Sequence, residues 1–255
     1  MKIQQIRNAT ILIEFGGKKI LVDPMFSDKG ALPTTTIPAK TWSFKRNPLC
    51  DLPISKAEIV RDLDFVFLSH LHFDHWDNAA KDALPKGIKI FVQDQADQLK
   101  IEKLGFTNVE ILTENSSFDE IKLSRTKAQH GKGFMLRLAG FVCGLVLKHP
   151  TEKTLYLAAD TVWYQGVQEA LNRHKPEVVV VNGGDNQFFF GGQLIMNKKD
   201  IYEVQKTVPN ANIFVSHMEG VNHNTLTRKD LKEYLAEKGI TDKVNVPEDG
   251  QSYIF

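Results

Sequence analysis

Apolar runs separated by polar turns divide most of the chain into short strands, with fewer helical stretches between them. The runs TILIEF and KKILV flank Gly16-Gly17 and predict a β-hairpin that ends at Asp23. FVCGLVLKH and KTLYLAA predict a second hairpin that ends at Asp160. Two hairpins that both end in an aspartate hint at two similar halves of the chain.

The remaining patterns favour an α/β fold with layered, mixed sheets. Strands are predicted at LDFVFLS, GIKIFVQ, NVEIL, EIKLSRTKAQ, EVVVVN and NIFVS, with short ones around VNV and SYIF. Helices are predicted at DQADQLKIEKLG and near residues 164–173, 197–207 and 226–238. Because the strands outnumber the helices and do not strictly alternate with them, a parallel Rossmann sheet is disfavoured.

One long segment, about residues 24–54, fits neither pattern. It contains five prolines and the aromatic residues Trp42 and Phe44. We interpret it as an irregular excursion from a single domain spanning residues 1–255, and expect its prolines and polar residues to make few contacts with the core. Long ordered loops of this kind often carry function. Trp42 and Phe44 are therefore candidates for closing over a substrate.

Composition narrows the functional classes. Lys+Arg 32 against Asp+Glu 31 gives a net charge of +1 over 255 residues, which offers no basis for nonspecific nucleic-acid binding. No stretch approaches the ~18 apolar residues of a membrane span, and the first residues contain no apolar signal core. With only Cys50 and Cys143 present, a reducing cytosol fits better than a disulfide-forming compartment, and we expect a cytoplasmic protein.

Several predicted strands end at a residue that can bind metal. LDFVFLS leads to His70, RTKAQ to His130, KTLYLAA to Asp160 and NIFVS to His217. Strands that finish at the same edge of a sheet bring their terminal residues together. We therefore expect these side chains to converge on one point.

The stretch LSHLHFDHW concentrates the same chemistry. It holds three of the eight histidines of the chain, together with Asp74. In extended backbone, His70 and His72 point to the same side, whereas Asp74 and His75 project from the following turn. Imidazole nitrogens with a carboxylate are typical of catalytic rather than structural zinc, which usually recruits cysteine thiolates. The alternative is a solvated loop rich in histidine.

HLHFDH resembles the H-x-H-x-D-H signature of the metallo-β-lactamase fold superfamily. The similarity extends over nearly the whole chain, with Asp23 closing the early hairpin and His130, Asp160 and His217 following in the family's order. ILVDPMFS and the GG…F…GG…MN stretch of residues 183–197 resemble the group that contains L-ascorbate-6-phosphate lactonase and N-acyl-phosphatidylethanolamine phospholipase D. The resemblance implies a four-layer αββα sandwich of two mixed β-sheets with the active site at one sheet edge.

The resemblance also implies a two-zinc centre, although Mn²⁺ or Fe²⁺ can occupy similar sites. It would place one zinc on His70, His72 and His130, the second on Asp74, His75 and His217, and Asp160 between them. Histidine rather than glutamate at position 72 disfavours the di-iron branch. The chain has no room for the added domain of the RNA-processing nucleases, and no signal for glutathione recognition supports glyoxalase II.

Such a centre predicts a hydrolase. A metal-bridging hydroxide would attack a carbonyl or phosphoryl centre, with Asp74 orienting the nucleophile. Two Zn²⁺ ions, two aspartates and one hydroxide leave roughly +1, which favours a small anionic ester or lactone as substrate. The alternatives are a phosphodiesterase for a lipid or nucleotide, and a metal-retaining sensor or binding module with little turnover.

Two further sets of residues have open roles. In SHMEGVNH, His217 directly follows a strand and is predicted to bind metal, whereas His223 lies in the following loop. His223 is a candidate for contact with the substrate or transition state; the alternative is a loop histidine that bonds only to backbone. Phe188, Phe189 and Phe190 would either line a pocket or belong to the core.

Overall fold

The computed structural model describes residues 1–35, 44–188 and 191–255. Within these residues, a first sheet of seven strands has the order β16-β1-β2-β3-β4-β5-β6, with strands numbered in chain order. Its strands are β1 (Lys2–Arg7), β2 (Thr10–Phe15), β3 (Lys18–Val22), β4 (Phe65–Phe67), β5 (Lys89–Val92), β6 (Val109–Ile111) and β16 (Ser252–Ile254). The predicted hairpin is β2–β3, paired antiparallel with Ile13 opposite Ile20.

The second sheet, also of seven strands in the described residues, has the order β15-β14-β11-β10-β9-β8-β7. Its strands are β7 (Ser116–Phe118), β8 (Ile121–Lys127), β9 (Cys143–Lys148), β10 (Leu155–Leu157), β11 (Val178–Asn182), β14 (Asn212–Ser216) and β15 (Val244–Asn245). A separate small ribbon pairs β12 (Gln187–Phe188) with β13 (Gly192–Gln193).

The two sheets repeat one topology, as the two aspartate-ended hairpins had hinted. Strands β1 to β3 and strands β8 to β10 are each antiparallel. Three parallel pairings then follow in each half: β3–β4, β4–β5 and β5–β6 in the first sheet, and β10–β11, β11–β14 and β14–β15 in the second. The antiparallel hairpin of each half therefore delivers its closing aspartate beside the carboxyl ends of the parallel strands.

Seven helices in the described residues lie on the outer faces of the sheets or in the loops. They are α1 (Lys56–Val60), α2 (Asn78–Ala83), α3 (Gln95–Glu102), α4 (Met135–Ala139), α5 (Gln165–His174), α6 (Lys198–Thr207) and α7 (Arg228–Lys238). The helices α3, α5, α6 and α7 were predicted; α1, α2 and α4 were not, because one or two turns are too short for apolar periodicity to stand out. Strand β1 was likewise missed.

Alternating side chains sort the core into three layers. Val178 and Val180 of β11 point into the layer between the two sheets, where they meet residues such as Phe65 and Phe67. Val179 points to the other face, against the helices α5, α6 and α7. A third layer packs the first sheet against α1, α2 and α3. The predicted αββα sandwich of two mixed sheets is confirmed, while the assignment of residues 1–255 to a single domain stays a prediction.

The excursion is tied to the molecule more firmly than predicted. In its described parts, 24–35 and 44–54, it is irregular apart from a single bridge between Leu32 and Asn47, as expected. However, Met25 and Phe26 are fully buried, and Phe26 belongs to the layer against α1 to α3. The polar residues Ser27 and Asn47 are buried as well, so the expectation that the prolines and polar residues make few core contacts was wrong.

A buried arginine holds both ends of this excursion. The Arg7 side chain is fully buried, and its guanidinium donates to the carbonyls of Met25 at 2.7 Å, Ser27 at 2.8 Å and Cys50 at 3.0 Å. Burial lowers the pKa of Arg7 from its ordinary value. Arg7 therefore supplies the hydrogen-bond donors for these three carbonyls, which would be left without them if the side chain were removed.

Asn47 and Asn222 join the excursion to the loop after β14. Asn222 donates its backbone N–H to Asn47 Oδ1 at 2.8 Å, and Asn47 Nδ2 donates to Asn222 Oδ1 at 3.0 Å. Leu49 N also donates to the Gly220 carbonyl at 2.9 Å. The excursion thus runs beside the loop that contains His223. Of the two aromatic residues predicted to close over a substrate, Phe44 is exposed and Trp42 lies outside the described residues.

Replacing Arg7 by methionine should lower the free energy of unfolding by about 3 kcal/mol, since three buried carbonyls lose their donor. Urea unfolding followed by circular dichroism measures the change. Arg46→Met is the matched control, because Arg46 also donates to two carbonyls of the excursion but is exposed. Equal effects of the two substitutions would show that burial of Arg7 does not matter.

Candidate metal centre

The seven side chains predicted to bind metal lie together at one edge of the sandwich. They form three overlapping groups in which one donor atom of each residue lies within 4.8 Å of the others: His70, His72 and His130; His70, His75 and Asp160; and Asp74, His75 and His217. His72 is partly exposed and the other six are buried. The convergence expected from the strand ends is therefore present, whereas the metal-binding role of each residue remains a proposal.

Most of these residues lie a little beyond the strand ends, not directly at them. β4 ends at Phe67, β8 at Lys127 and β10 at Leu157, each three residues before its metal-site residue. Only His217 directly follows its strand. The difference arises because single hydrogen bonds extend the ladders irregularly before the chain turns, such as Leu68 N to the Phe91 carbonyl at 3.0 Å.

Strained backbone turns three of the strand ends toward the centre. Asp23 after β3, Ala159 after β10 and His217 after β14 all adopt positive φ angles, of 44°, 58° and 59°. A residue with a side chain in this left-handed region costs about 1 kcal/mol or more. In each half of the fold, the strain falls where the chain must bend sharply to place an acidic or imidazole side chain.

The Asp160 carboxylate contacts both parts of the cluster. Its Oδ2 atom lies 3.2 Å from His75 Nε2 and 3.5 Å from His130 Nε2. Its Oδ1 atom lies 3.8 Å from His217 Nε2 and accepts a hydrogen bond from Asn182 Nδ2 at 2.7 Å. This position between the histidine groups is the one that a bridging ligand requires.

Hydrogen bonds prepare individual imidazoles for metal binding. Asp23 Oδ2 accepts from Ser69 Oγ at 2.7 Å and lies 2.9 Å from His75 Nδ1. Because Ser69 gives its only hydroxyl proton to Asp23, its oxygen accepts from His70 Nδ1, 3.0 Å away. His130 Nδ1 likewise donates to the Leu194 carbonyl at 3.0 Å. In the neutral form, Nε2 of all three rings is then free of protons and available to a metal.

Burial and mutual contact set the charges of the cluster. Burial would raise the pKa of Asp74 and Asp160, but the imidazoles around them, above all His75, bring both pKa values well below the ordinary range. Burial would lower the pKa of His75, yet the carboxylates of Asp160, Asp23 and Asp74 raise it well above its ordinary value. Burial lowers the pKa of His72 to about 4. A metal entering here would displace the His75 proton.

The donor spacing fits divalent metal ions. Tetrahedral zinc with ligand bonds of ~2.0–2.1 Å places neighbouring donors roughly 3.3 Å apart. In the cluster, His70 Nε2 lies 2.9 Å from His72 Nδ1, and His217 Nε2 lies 3.2 Å from His75 Nε2 and 3.3 Å from Asp74 Oδ2. The set contains nitrogen and carboxylate donors, while Cys50 and Cys143 are free thiols outside it. The cluster is therefore able to bind metal with a donor set of the catalytic kind.

His217 and His223 lie in different positions relative to the cluster, while the role of each stays a prediction. His217 Nε2 belongs to the cluster, whereas His223 is absent from all three donor groups. The His223 ring is buried, stacks on Phe188 with the centroids 5.6 Å apart, and lies 3.1 Å from Asn186 Nδ2. Phe188 thus packs beside the site, while Phe189 and Phe190 lie outside the described residues.

Several supporting residues were missed from the sequence. Asn8, in the β1–β2 turn, donates to the Asp74 carbonyl at 3.0 Å, and its own carbonyl accepts from His217 N at 2.9 Å. It thereby joins the loops that carry Asp74 and His217. Asn182 ends β11 and could have been found by the rule that found the other strand-end residues. The sequence contains only a weak indication that Asn8 joins these loops, because it shows simply an asparagine between two apolar runs.

Known proteins similar to this chain define its class. A family model described as the β-lactamase superfamily domain matches residues 18–218. The crystal structure of an isothiocyanate hydrolase from Delia radicum gut bacteria is 40% identical, with a TM-score of 0.95 over 100% of this chain and 99% of that chain. A possible metal-dependent hydrolase from Veillonella parvula DSM 2008 is 35% identical, with a TM-score of 0.95 over 99% and 98% of the two chains. The chain is therefore a metal-dependent hydrolase of the metallo-β-lactamase superfamily.

Curated proteins similar to this chain identify its family within the superfamily. The UPF0173 protein YddR of Bacillus subtilis (strain 168) is 50% identical over 256 residues, which covers 100% of both chains. A UPF0173 metal-dependent hydrolase of Staphylococcus aureus (strain JH9) is 26% identical over 194 residues, or 73% of this chain and 74% of that protein. Within the superfamily, the chain thus belongs to the UPF0173 family. The finer likeness to the lactonase and phospholipase group stays a prediction.

The purified protein should contain close to two metal ions per chain. His70→Ala should empty one position more than the other, because His70 lies in the group with His72 and His130. Asp160→Ala should lower the occupancy of both, because Asp160 contacts both groups. Elemental analysis measures the content, with His174→Ala at the end of α5 as a control that should keep both ions. One ion in the wild type, unaffected by Asp160→Ala, would contradict a bridged centre.

The two histidines of SHMEGVNH should differ in the same assay. His217→Ala removes a donor of the cluster and should lose one metal and nearly all activity. His223→Ala should keep both metals but lower kcat by roughly 10²–10⁴-fold, as expected for loss of a group that stabilises charge or transfers a proton. Metal loss at position 223 with retention at position 217 would reverse the assignment.

Proposed function

We propose that this protein binds two zinc ions in the His/Asp cluster and hydrolyses small organic molecules at an electrophilic carbon, with isothiocyanates as the first substrate class. The convergence of seven donors on one buried point carries the proposal of metal-assisted hydrolysis. The similarity to an isothiocyanate hydrolase, 40% identical over the whole chain, supports the substrate class.

Two metal ions held by these donors would lower the pKa of a bound water to about 7 and so would supply hydroxide at neutral pH. The side chains contribute orientation and proton handling. Asp74 stays ionised, since the neighbouring imidazoles hold its pKa well below the ordinary range despite the opposing effect of burial. Its carboxylate can therefore accept a hydrogen bond from the attacking water and direct the oxygen lone pair at the substrate carbon.

The proposed reaction is R–N=C=S + H₂O → R–NH₂ + COS. The water oxygen forms a bond to the central carbon, and one water proton is transferred to the nitrogen. The second water proton also ends on nitrogen when the carbon–nitrogen bond breaks, which releases the amine and carbonyl sulfide. No oxidant or further reactant is required.

Apolar residues next to the centre suit a neutral substrate with an apolar group. Met135, Leu194 and Ile195 form a small buried cluster, and Phe188 packs against it. This cluster, named here the Met135 cluster, is joined to the centre through the Leu194 carbonyl, which accepts from His130 Nδ1. In the described residues, the hydrogen bonds and ion pairs of the metal donors involve no lysine or arginine that would hold an anion.

A small anionic ester or lactone remains the second candidate. Asp74 and Asp160 are the only carboxylates in the donor groups found among the described residues. Two Zn²⁺ ions with these two aspartates and a hydroxide leave roughly +1 at the centre, which attracts an anion even without a basic side chain. The same positive charge would also suit the phosphodiester substrate of a phosphodiesterase. The candidate that is not an enzyme is a metal-binding module with little turnover.

The zinc-loaded protein should release amine from benzyl isothiocyanate with a kcat/KM that exceeds its values for a phosphorylated lactone and for bis(p-nitrophenyl) phosphate by roughly 10²-fold. Amine release should disappear in His75→Ala and persist in His174→Ala. Faster hydrolysis of either anionic compound would favour the second candidate. Turnover of none of them, with two metals bound, would favour the binding module.

A further inference from the structure

The His223 side chain is a buried polar group, and one of its two ring nitrogens has no hydrogen-bond partner within the described part of the chain. Its relative exposure is 6%, and its ring stacks on Phe188. One ring nitrogen, Nε2, lies 3.1 Å from Asn186 Nδ2. The other, Nδ1, is buried and has no hydrogen-bond partner among the described residues. A buried polar atom without a partner is uncommon and calls for a ligand or an unseen donor or acceptor.

A chain of amides fixes which atom of Asn186 faces the ring. Asn224 Oδ1 accepts from the backbone N–H of Val221 at 3.0 Å, and Asn224 Nδ2 donates to the His217 carbonyl at 3.2 Å. Both contacts are to backbone groups that can play only one role, so the orientation of the Asn224 amide is determined. The same Nδ2 group donates to Asn186 Oδ1.

The tautomer of His223 follows from this chain. Because Asn186 Oδ1 accepts from Asn224, the other end of the Asn186 amide is the NH₂ group, which donates to His223 Nε2. Nε2 must then be the proton-free nitrogen of a neutral imidazole, and Nδ1 must carry the hydrogen. Backbone atoms near His217 thereby determine, through two asparagines, that the atom without a partner is an N–H donor.

We propose that His223 acts as a neutral hydrogen-bond donor, through Nδ1–H, to the substrate heteroatom that gains negative charge when water adds, and that Asn186 and Asn224 are positioning residues that hold this tautomer. The catalytic part of this inference rests on the proposed hydrolysis; the tautomer does not. For an isothiocyanate, the heteroatom is the nitrogen or sulfur of the N=C=S group.

The surroundings support a neutral donor over a proton-transferring acid or base. Burial lowers the pKa of His223 to about 4. Its partner Asn186 is joined to the metal cluster, because the Asn186 carbonyl accepts from Leu194 N at 2.9 Å and the Leu194 carbonyl accepts from His130 Nδ1 at 3.0 Å. Protonation at Nε2 would set an N–H against the Asn186 NH₂ group. A fixed donor beside the developing charge needs no such change and stabilises the transition state directly.

Nitrogen-15 NMR of the zinc-loaded protein at neutral pH tests the tautomer without any substrate. The His223 signals, identified by their loss in His223→Asn, should show a protonated Nδ1 and a bare Nε2. Asn186→Asp places a carboxylate at Nε2 and should move the proton there. Asn172→Asp, which adds the same charge on the exposed face of α5, should leave the signals unchanged. A wild-type signal with the proton on Nε2 would overturn the inference.

Amide substitutions separate donation from proton transfer. The asparagine side chain places an NH₂ group near the position of Nδ1, whereas glutamine places one near Nε2, and neither transfers protons. With amine release from benzyl isothiocyanate as the assay, His223→Asn should retain about tenfold more kcat than His223→Ala or His223→Gln, with two metals in every variant. Equal kcat for the three variants would overturn the donor role.

The kinetic and spectroscopic results separate failure of the inference from failure of the proposed function. If the wild type does not hydrolyse benzyl isothiocyanate but does hydrolyse the phosphorylated lactone, the same series is measured on the lactone. Asn186→Asp should lower kcat by roughly 10²-fold with little change in KM, since it removes a donor that acts on the transition state. A normal kcat in a variant whose NMR shows the proton on Nε2 would refute the assignment.

Discussion

Two carboxylates, Asp74 and Asp160, are buried among imidazoles at one edge of the sandwich. The surrounding structure depends on the compensation of their negative charge by these imidazoles. An isolated buried carboxylate is strongly unfavourable unless it is paired or binds metal. Here the imidazoles hold the pKa of both groups well below the ordinary range, although burial opposes this. The same contacts bring together loops from both sheets, so the site also joins the two halves of the fold.

The repeated topology explains how such a cluster can be assembled from distant parts of the chain. Each half sends an aspartate from a hairpin to the edge where parallel strands end. The two aspartates lie on different sides of His75: Asp160 lies beside Nε2, the nitrogen that faces the cluster, whereas Asp23 contacts Nδ1 and, through Ser69, orients His70. The left-handed backbone at Asp23 and at Ala159, the residue before Asp160, is the conformational cost of bending the chain there.

A second network, made of asparagine amides, reaches the centre at His217. Asn47 and Asn222 attach the excursion to the loop after β14, and Asn186 and Asn224 define the state of His223. This network and the metal cluster meet at His217, whose Nε2 faces Asp74 and whose carbonyl accepts from Asn224. A substitution in the amide network should therefore affect turnover before it affects metal content.

The sequence by itself determined the superfamily, the αββα class and the set of metal-capable side chains, because strand patterns and the HLHFDH spacing are local properties. It could not determine the exact ends of the strands, since β4, β8 and β10 end three residues before their metal-site residues, where regular pairing gives way to single hydrogen bonds such as Leu68 N to the Phe91 carbonyl. It also could not reveal the buried anchor Arg7, the bridging Asn8 or the Asn224–Asn186–His223 chain. Each of these depends on atoms that are far apart in sequence and meet only when both sheets have packed, so only the tertiary structure decides their partners.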